Sequence, residues 1–146
     1  MKRVLAVMLV CVFAVVGTAP SAVAGKKLAT VAPRIINFGS VPVGTEVLAG
    51  AKITNTSGSD LLLLVEGGLP DDFGFGLLPG STCPALTPGD ILAADESCDV
   101  VVRFTPTDFF AGLRQTGTLT ATVRDPTTGD LLSTLSITVV GRGLTP

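Results

Sequence analysis

The chain has 146 residues, 12 acidic against 10 basic side chains, and no histidine, tyrosine or tryptophan. Without histidine the usual general base is missing, and neither a Ser-His-Asp nor a Cys-His nucleophile can be assembled. The acidic balance, with no basic cluster to override it, disfavours nucleic acid as a partner.

Residues 1–24 read as a secretory signal peptide. Met1-Lys2-Arg3 is a basic start, Val4 to Val16 is an apolar run, and Ala22-Val23-Ala24 places small residues before a cleavage point. The run falls short of the roughly 20 residues a membrane span needs. An uncleaved anchor is therefore disfavoured, and no stable membrane span is expected after cleavage. Cys11 lies too early, and follows Val10 rather than a small residue, which argues against a lipoprotein signal. The mature chain, Gly25 to Pro146, suffices for one domain with its own core. Residues 25–33 read as a flexible lead-in, and residues 34–144 as the domain.

Within the domain, short apolar segments alternate with Gly, Pro, Asn, Asp and Ser clusters, and no window has helical periodicity. Arg34 to Phe38 is the first expected strand, continued by Ser40 to Val43 and ended at Gly44-Thr45. Val47, Ala49, Ala51 and Ile53 alternate with Leu48, Gly50, Lys52 and Thr54, the period of a strand with one face on a core. Asn55 to Asp60 is a polar loop, and Leu61 to Val65 an apolar run of strand length. Phe73 to Leu78 is a short segment interrupted by glycine, and Pro79 to Glu96 reads as a long loop. Cys98, Val100, Val102 and Phe104 then share one face of a strand. Leu119, Ala121 and Val123 do the same beyond Gly117. Asp125 to Asp130 is a hairpin turn, and Leu135, Ile137 and Val139 line the last strand. About seven strands without crossover helices predict an all-β fold, an immunoglobulin-like antiparallel β-sandwich.

Cleavage would leave two cysteines, Cys83 and Cys98, 15 positions apart. In an oxidising compartment such a pair is most simply a disulfide. The spacing does not fit a C-x-x-C redox site, and no histidine could complete a zinc site.

Several short elements occur in a telling order: Phe38-Gly39-x-Val41-x-Val43-Gly44-Thr45, Thr54-Asn55-Thr56 with Gly58 and Leu61, Phe104-Thr105-Pro106, Gly117-x-Leu119, and Gly141-x-Gly143. Together they resemble the Ig-like domains of the ASH/Hydin type, as found in bacterial exported proteins of the choice-of-anchor D kind. The resemblance spans nearly all of Arg34 to Gly143. It implies a seven-stranded sandwich related to the major sperm protein fold, serving as a non-catalytic scaffold or interaction module. The export signal, cysteine pair and single module set this chain apart from the ciliary and centrosomal relatives, whose role is not carried over. Bacterial relatives often end in a surface anchor. Here Pro146 closely follows the last strand, so a freely secreted or periplasmic product is expected.

Residue by residue, Gly39 and Gly44 suit turns that a side chain would crowd, and Asn55 can bond its own backbone to hold a turn. Phe104 belongs in the core, and Pro106 ends its strand. The acids Asp71-Asp72, Asp95, Glu96 and Asp99, and the pair Asp125 and Asp130, match no calcium-loop spacing and read as solvated loop acids. Leu62 and Leu64 point opposite to Leu61, Leu63 and Val65. They form an apolar interaction patch unless the segment from Phe73 to Leu92 folds over them, which is the expected outcome. Phe109-Phe110 is expected to cap one end of the sandwich, with an exposed anchor as the alternative. The rows Thr118-Thr120-Thr122 and Thr134-Ser136-Thr138 suit a solvated sheet face. Asn55-Thr56-Ser57 fits an N-glycosylation pattern, relevant only in a glycosylating host.

The reading that follows is a non-catalytic structural or adhesive module, without cofactor or metal. Its partner would be a protein at the cell envelope or outside the cell, engaged by surface complementarity or by strand addition at a sheet edge. Two alternatives are recognition of a glycan or calcium by the loops, and an accessory domain of a secreted enzyme system.

Overall fold

The computed structural model describes residues 27–75, 78–83 and 91–145; the expected signal peptide lies outside them. Among these residues nine strands form two facing sheets: β1 (Ala29–Ala32), β2 (Ile35–Pro42), β3 (Val47–Asn55), β4 (Leu61–Gly68), β5 (Phe73–Phe75), β6 (Ile91–Leu92), β7 (Ser97–Phe104), β8 (Arg114–Arg124) and β9 (Leu131–Leu144). One sheet has the order β1-β3-β7-β5 and the other β2-β9-β8-β4-β6. One 3-10 turn, Asp108–Phe110, interrupts the strands, and no α-helix occurs among the described residues.

The alternation that predicts the strands also predicts their inward faces. Ile53, Leu63, Val65, Val100, Val102, Phe104, Leu119, Val123, Ile137 and Val139 are all at most 2% exposed. Each such side chain removed from water contributes roughly 1.5–3 kcal/mol before conformational entropy is counted. At one end the core is aromatic: Phe104 stacks on Phe73 with ring centroids 4.5 Å apart, and Phe38 lies 5.4 Å from Phe104.

Three inward-facing glycines make room for this packing. A Cβ on Gly141 would sit 2.5 Å from the Phe104 ring, one on Gly143 2.9 Å from Pro106, and one on Gly117 2.8 Å from Leu69 and Pro70. The glycines of the Gly117-x-Leu119 and Gly141-x-Gly143 elements are therefore packing positions rather than turn positions.

Three expectations need correction. Within the expected lead-in, Ala29–Ala32 is a strand: it pairs antiparallel with β3 and buries Ala29 and Val31. Among the described residues there are nine strands where about seven are expected, because β1 and the two-residue β6 add edges that carry almost no periodic signal. The sandwich is also not wholly antiparallel, since β2 pairs parallel with β9 in the register Ile35↔Thr138 to Pro42↔Leu144. The chain crosses from β1 in one sheet to β2 in the other through the cis peptide Ala32–Pro33.

Candidate interaction surface

Two buried polar clusters hold the loops from which the outer surfaces are built. Asn55 is 1% exposed. Its Oδ1 accepts from the Ser57 backbone N–H (2.9 Å) and hydroxyl (2.8 Å), while its Nδ2 donates to the carbonyls of Ser59 (2.7 Å), Leu92 (3.0 Å) and Ala93 (3.0 Å). The side chain does more than hold its own turn: it ties the β3–β4 loop to β6. The glycosylation pattern at Asn55 is thus closed in the folded protein.

Asp71 and Asp72 part company. Asp71 is exposed. Asp72 is buried and accepts from the Thr107 N–H (3.2 Å), the Thr107 hydroxyl (2.9 Å) and the Gln115 side-chain amide. It joins the turn before β5 to the start of β8. The pairing with buried Gln115 has no signature in the sequence, because Gln115 lies N-terminal to the segment whose alternation predicts β8. Among the described residues, no three His, Cys, Asp or Glu side chains cluster as metal ligands.

Asp125 shapes the β8–β9 hairpin. Its Oδ1 accepts from the N–H groups of Thr127 (2.7 Å) and Thr128 (3.0 Å). Those bonds, Thr128 first, hold its pKa below the ordinary 3.8.

Cys83 and Cys98 form the expected disulfide, with Cα atoms 4.7 Å apart and both residues buried. Closing a loop of this length stabilises a fold by about 3 kcal/mol. Leu62 and Leu64 lie on the outer face of β4, both half-buried. β6 runs alongside that strand, with Leu62↔Ile91 and Leu61↔Leu92 in register. Residues 84–90, part of the segment expected to cover them, lie outside the described residues. Phe109 does not cap the sandwich: it is 84% exposed, edge-on to half-buried Phe110 at 4.8 Å. The two expected patches are not one surface. Leu62 pairs with Arg124 at one end of β8, whereas the turn carrying Phe109 precedes Arg114 at the other, about 30 Å away at strand rise.

A different surface stands out at the edge of the five-stranded sheet. β9 is paired along its length with β8, but its pairing with β2 begins only at Thr138. The Thr138 N–H donates to the Arg34 carbonyl at 2.8 Å and so faces the β2 side. Backbone groups alternate sides along a strand, so Ser136 and Thr134 present theirs to the same side, where no strand lies among the described residues. Beside this open edge is a notch of about 290 Å³ lined by Lys27, Leu28, Ala29, Arg34, Leu132, Ser133 and Leu135. Leu132 is 42% exposed. Neither Lys27 nor Arg34 forms an ion pair among the described residues. The notch lies where β1 pairs with β3 in the other sheet and the chain joins β9 only from Arg34 onward, a topological fact that no local pattern announces.

No protein-family model matches the sequence, and no curated protein does. Solved structures do match the fold. The ASH / PapD-like domain 7 of human CEP192 superposes with a TM-score of 0.62 at 13% identity, covering 97% of this chain and 99% of that one. The fold is that of the ASH and MSP sandwiches. WR4, an MSP family member of C. elegans, matches with a TM-score of 0.55 at 14% identity over 78% of this chain and 97% of its own. A Salmonella enterica structure of the SafA pilin in complex with the SafB chaperone matches with a TM-score of 0.56 at 12% identity, over 79% of this chain and 54% of that one. At these identities the ASH/MSP likeness concerns architecture. No helix among the described residues is long and apolar enough to cross a membrane.

Proposed function

We propose that this chain is a non-catalytic, exported protein-interaction module that takes up an extended segment of a partner protein by strand addition at the open edge of β9. The observation that carries the reading is the half-paired β9 strand. Thr134 and Ser136 offer backbone donors and acceptors to an incoming strand, and Leu28, Leu132 and Leu135 supply the apolar part of the notch beside them. Exposed strand edges are templates for such pairing, in which main-chain bonds supply affinity and side-chain pockets supply specificity. Lys27 and Arg34 favour a segment that alternates apolar with acidic residues.

Two further points support the reading. A pilin–chaperone complex is among the structures that share the fold. The buried disulfide and the N-terminal sequence pattern both suit an extracytoplasmic setting. The absence of histidine argues against acid–base catalysis.

The test is a pull-down from the envelope fraction with the mature protein and with Thr134→Pro. Proline removes the outward-facing donor while leaving the β8 side of the strand paired, a position where edge strands tolerate it. Capture by the wild type, lost in a Thr134→Pro protein that still melts cooperatively, supports strand addition. Equal capture by both refutes it.

A further inference from the structure

On the outer face of the five-stranded sheet, at the end away from the hairpin, Arg114 of β8 and Arg142 of β9 are direct cross-strand partners. Both are exposed. Side chains directly opposite on one face have Cβ atoms about 4.5–5.5 Å apart, and like charges there are destabilising. No ion pair among the described residues relieves the repulsion. The two ion pairs found there are Lys52–Asp99 and Arg103–Glu46, so neither Arg114 nor Arg142 has a carboxylate within 4.0 Å.

The two arginines line a cleft of about 420 Å³ with Asn37, Gly39, Gly112, Val140 and Gly141. Its polar side chains are nearly all donors. Each guanidinium carries five N–H groups and no acceptor. The Asn37 Oδ1 already accepts from the Gly39 N–H at 2.9 Å, which leaves the Asn37 amino group as a donor. No Asp or Glu lines the cleft. At Gly39 and Gly112 the backbone has a positive φ (67° and 78°), which disfavours a side chain at the rim of the cleft. A doubly cationic, donor-rich hollow on a protein of net negative charge is a local feature of this site, not a consequence of overall composition.

We propose that this cleft binds a tetrahedral dianionic oxyanion, phosphate or sulfate, held between Arg114 and Arg142 with Asn37 as a further donor. Two guanidiniums match the charge of a dianion, and their planar forks match its oxygen geometry. The bound anion would also remove the repulsion between the two arginines. The site is separate from the open edge of β9 beside Lys27 and Arg34, so either proposal can fail alone.

The experiment compares wild type, Arg114→Gln and Arg142→Gln by thermal unfolding and NMR titration. Millimolar inorganic phosphate, sulfate and methyl phosphate are the probes, each set against sodium chloride of equal ionic strength. The expected result is saturable, single-site stabilisation of the wild type beyond that of chloride, with resonances of residues 37–39 and 112–114 shifting. Each variant should bind roughly ten-fold more weakly. Without added anion, each variant should melt at or above the wild-type temperature, because the cross-strand repulsion is gone. Binding of methyl phosphate alongside the inorganic ions points to an esterified phosphate or sulfate as the natural ligand; binding of the inorganic ions alone points to the free ion. The proposal is overturned if phosphate and sulfate act no differently from chloride, or if both variants bind them as tightly as the wild type.

Discussion

Gly141→Ala tests the packing logic of the core most directly. The backbone of Gly141 is not in the left-handed region, so alanine carries no conformational penalty there. Its added methyl would meet three atoms of the Phe104 ring at 2.5, 2.7 and 2.8 Å, where ordinary contact begins near 3.4 Å. One of the two groups must therefore move by close to an ångström. Phe104 cannot easily yield, since it is fully buried, stacked on Phe73 at 4.5 Å and flanked by Phe38 at 5.4 Å. Overpacking of this kind costs about 1–3 kcal/mol, and the constrained ring places this case in the upper half. The intrinsic gain of alanine over glycine in a strand, roughly 0.5–1 kcal/mol, offsets part of it. The net expectation is a loss of about 2 kcal/mol, read as a lower urea midpoint at unchanged m-value. Phe104→Leu should partly rescue it. The double variant should be less destabilised than the sum of the singles by about 1 kcal/mol or more, because the residues touch. A Gly141→Ala protein within about 0.5 kcal/mol of wild type, or strict additivity in the cycle, would refute the claim that this glycine exists to admit the Phe104 ring.

Two further outcomes follow from the polar clusters. Asn55→Ala strips the amide donor from the Leu92 and Ala93 carbonyls beside a side chain that is 1% exposed. At about 1–3 kcal/mol for each group left unpaired and still buried, a loss of roughly 3 kcal/mol or more is expected in urea unfolding, with faster amide exchange in β6. A loss below about 1 kcal/mol would mean the loop can re-pair its carbonyls without the amide. Asp125→Asn tests the hairpin by its pH dependence. The Asp125 pKa is lowered in the folded state from 3.8, by the backbone N–H groups of Thr128 and then Thr127. Its ionised form therefore stabilises the fold above 3.8, and that contribution fades as pH falls through the lower folded value. The stability advantage of wild type over Asp125→Asn should shrink on acidification below 3.8, and an advantage that grows there would contradict the assignment.

The strands that alternate over a long stretch are legible in the amino-acid sequence. Cys98 to Phe104, Gly117 to Val123 and Leu135 to Val139 carry the period of two that puts one face on a core, and those faces are buried apart from half-buried Leu135. Two sheets facing each other follow, since strands with one apolar face and no helices to cover them can only cover one another. The disulfide is legible from the expected export and the spacing of the two cysteines beyond the expected signal peptide. Ala29–Ala32 is not, because a four-residue strand of small side chains between Lys27 and Pro33 has no amphipathic signal, and only the neighbouring β3 makes it a strand. Phe109 misleads because aromaticity predicts burial on average, while its place on a protruding 3-10 turn leaves it in water.

Local alternation, through the direction of each Cβ, determined which residues face inward and hence the class of fold. Which strands lie side by side is a matter of long-range pairing, and no single segment encodes it. The parallel β2–β9 contact, the unpaired flank of β9, the hollow under Phe104 at Gly141 and the juxtaposition of Arg114 with Arg142 all belong to that second kind. They arise only when segments far apart in the chain meet, and the candidate binding surfaces are made of them.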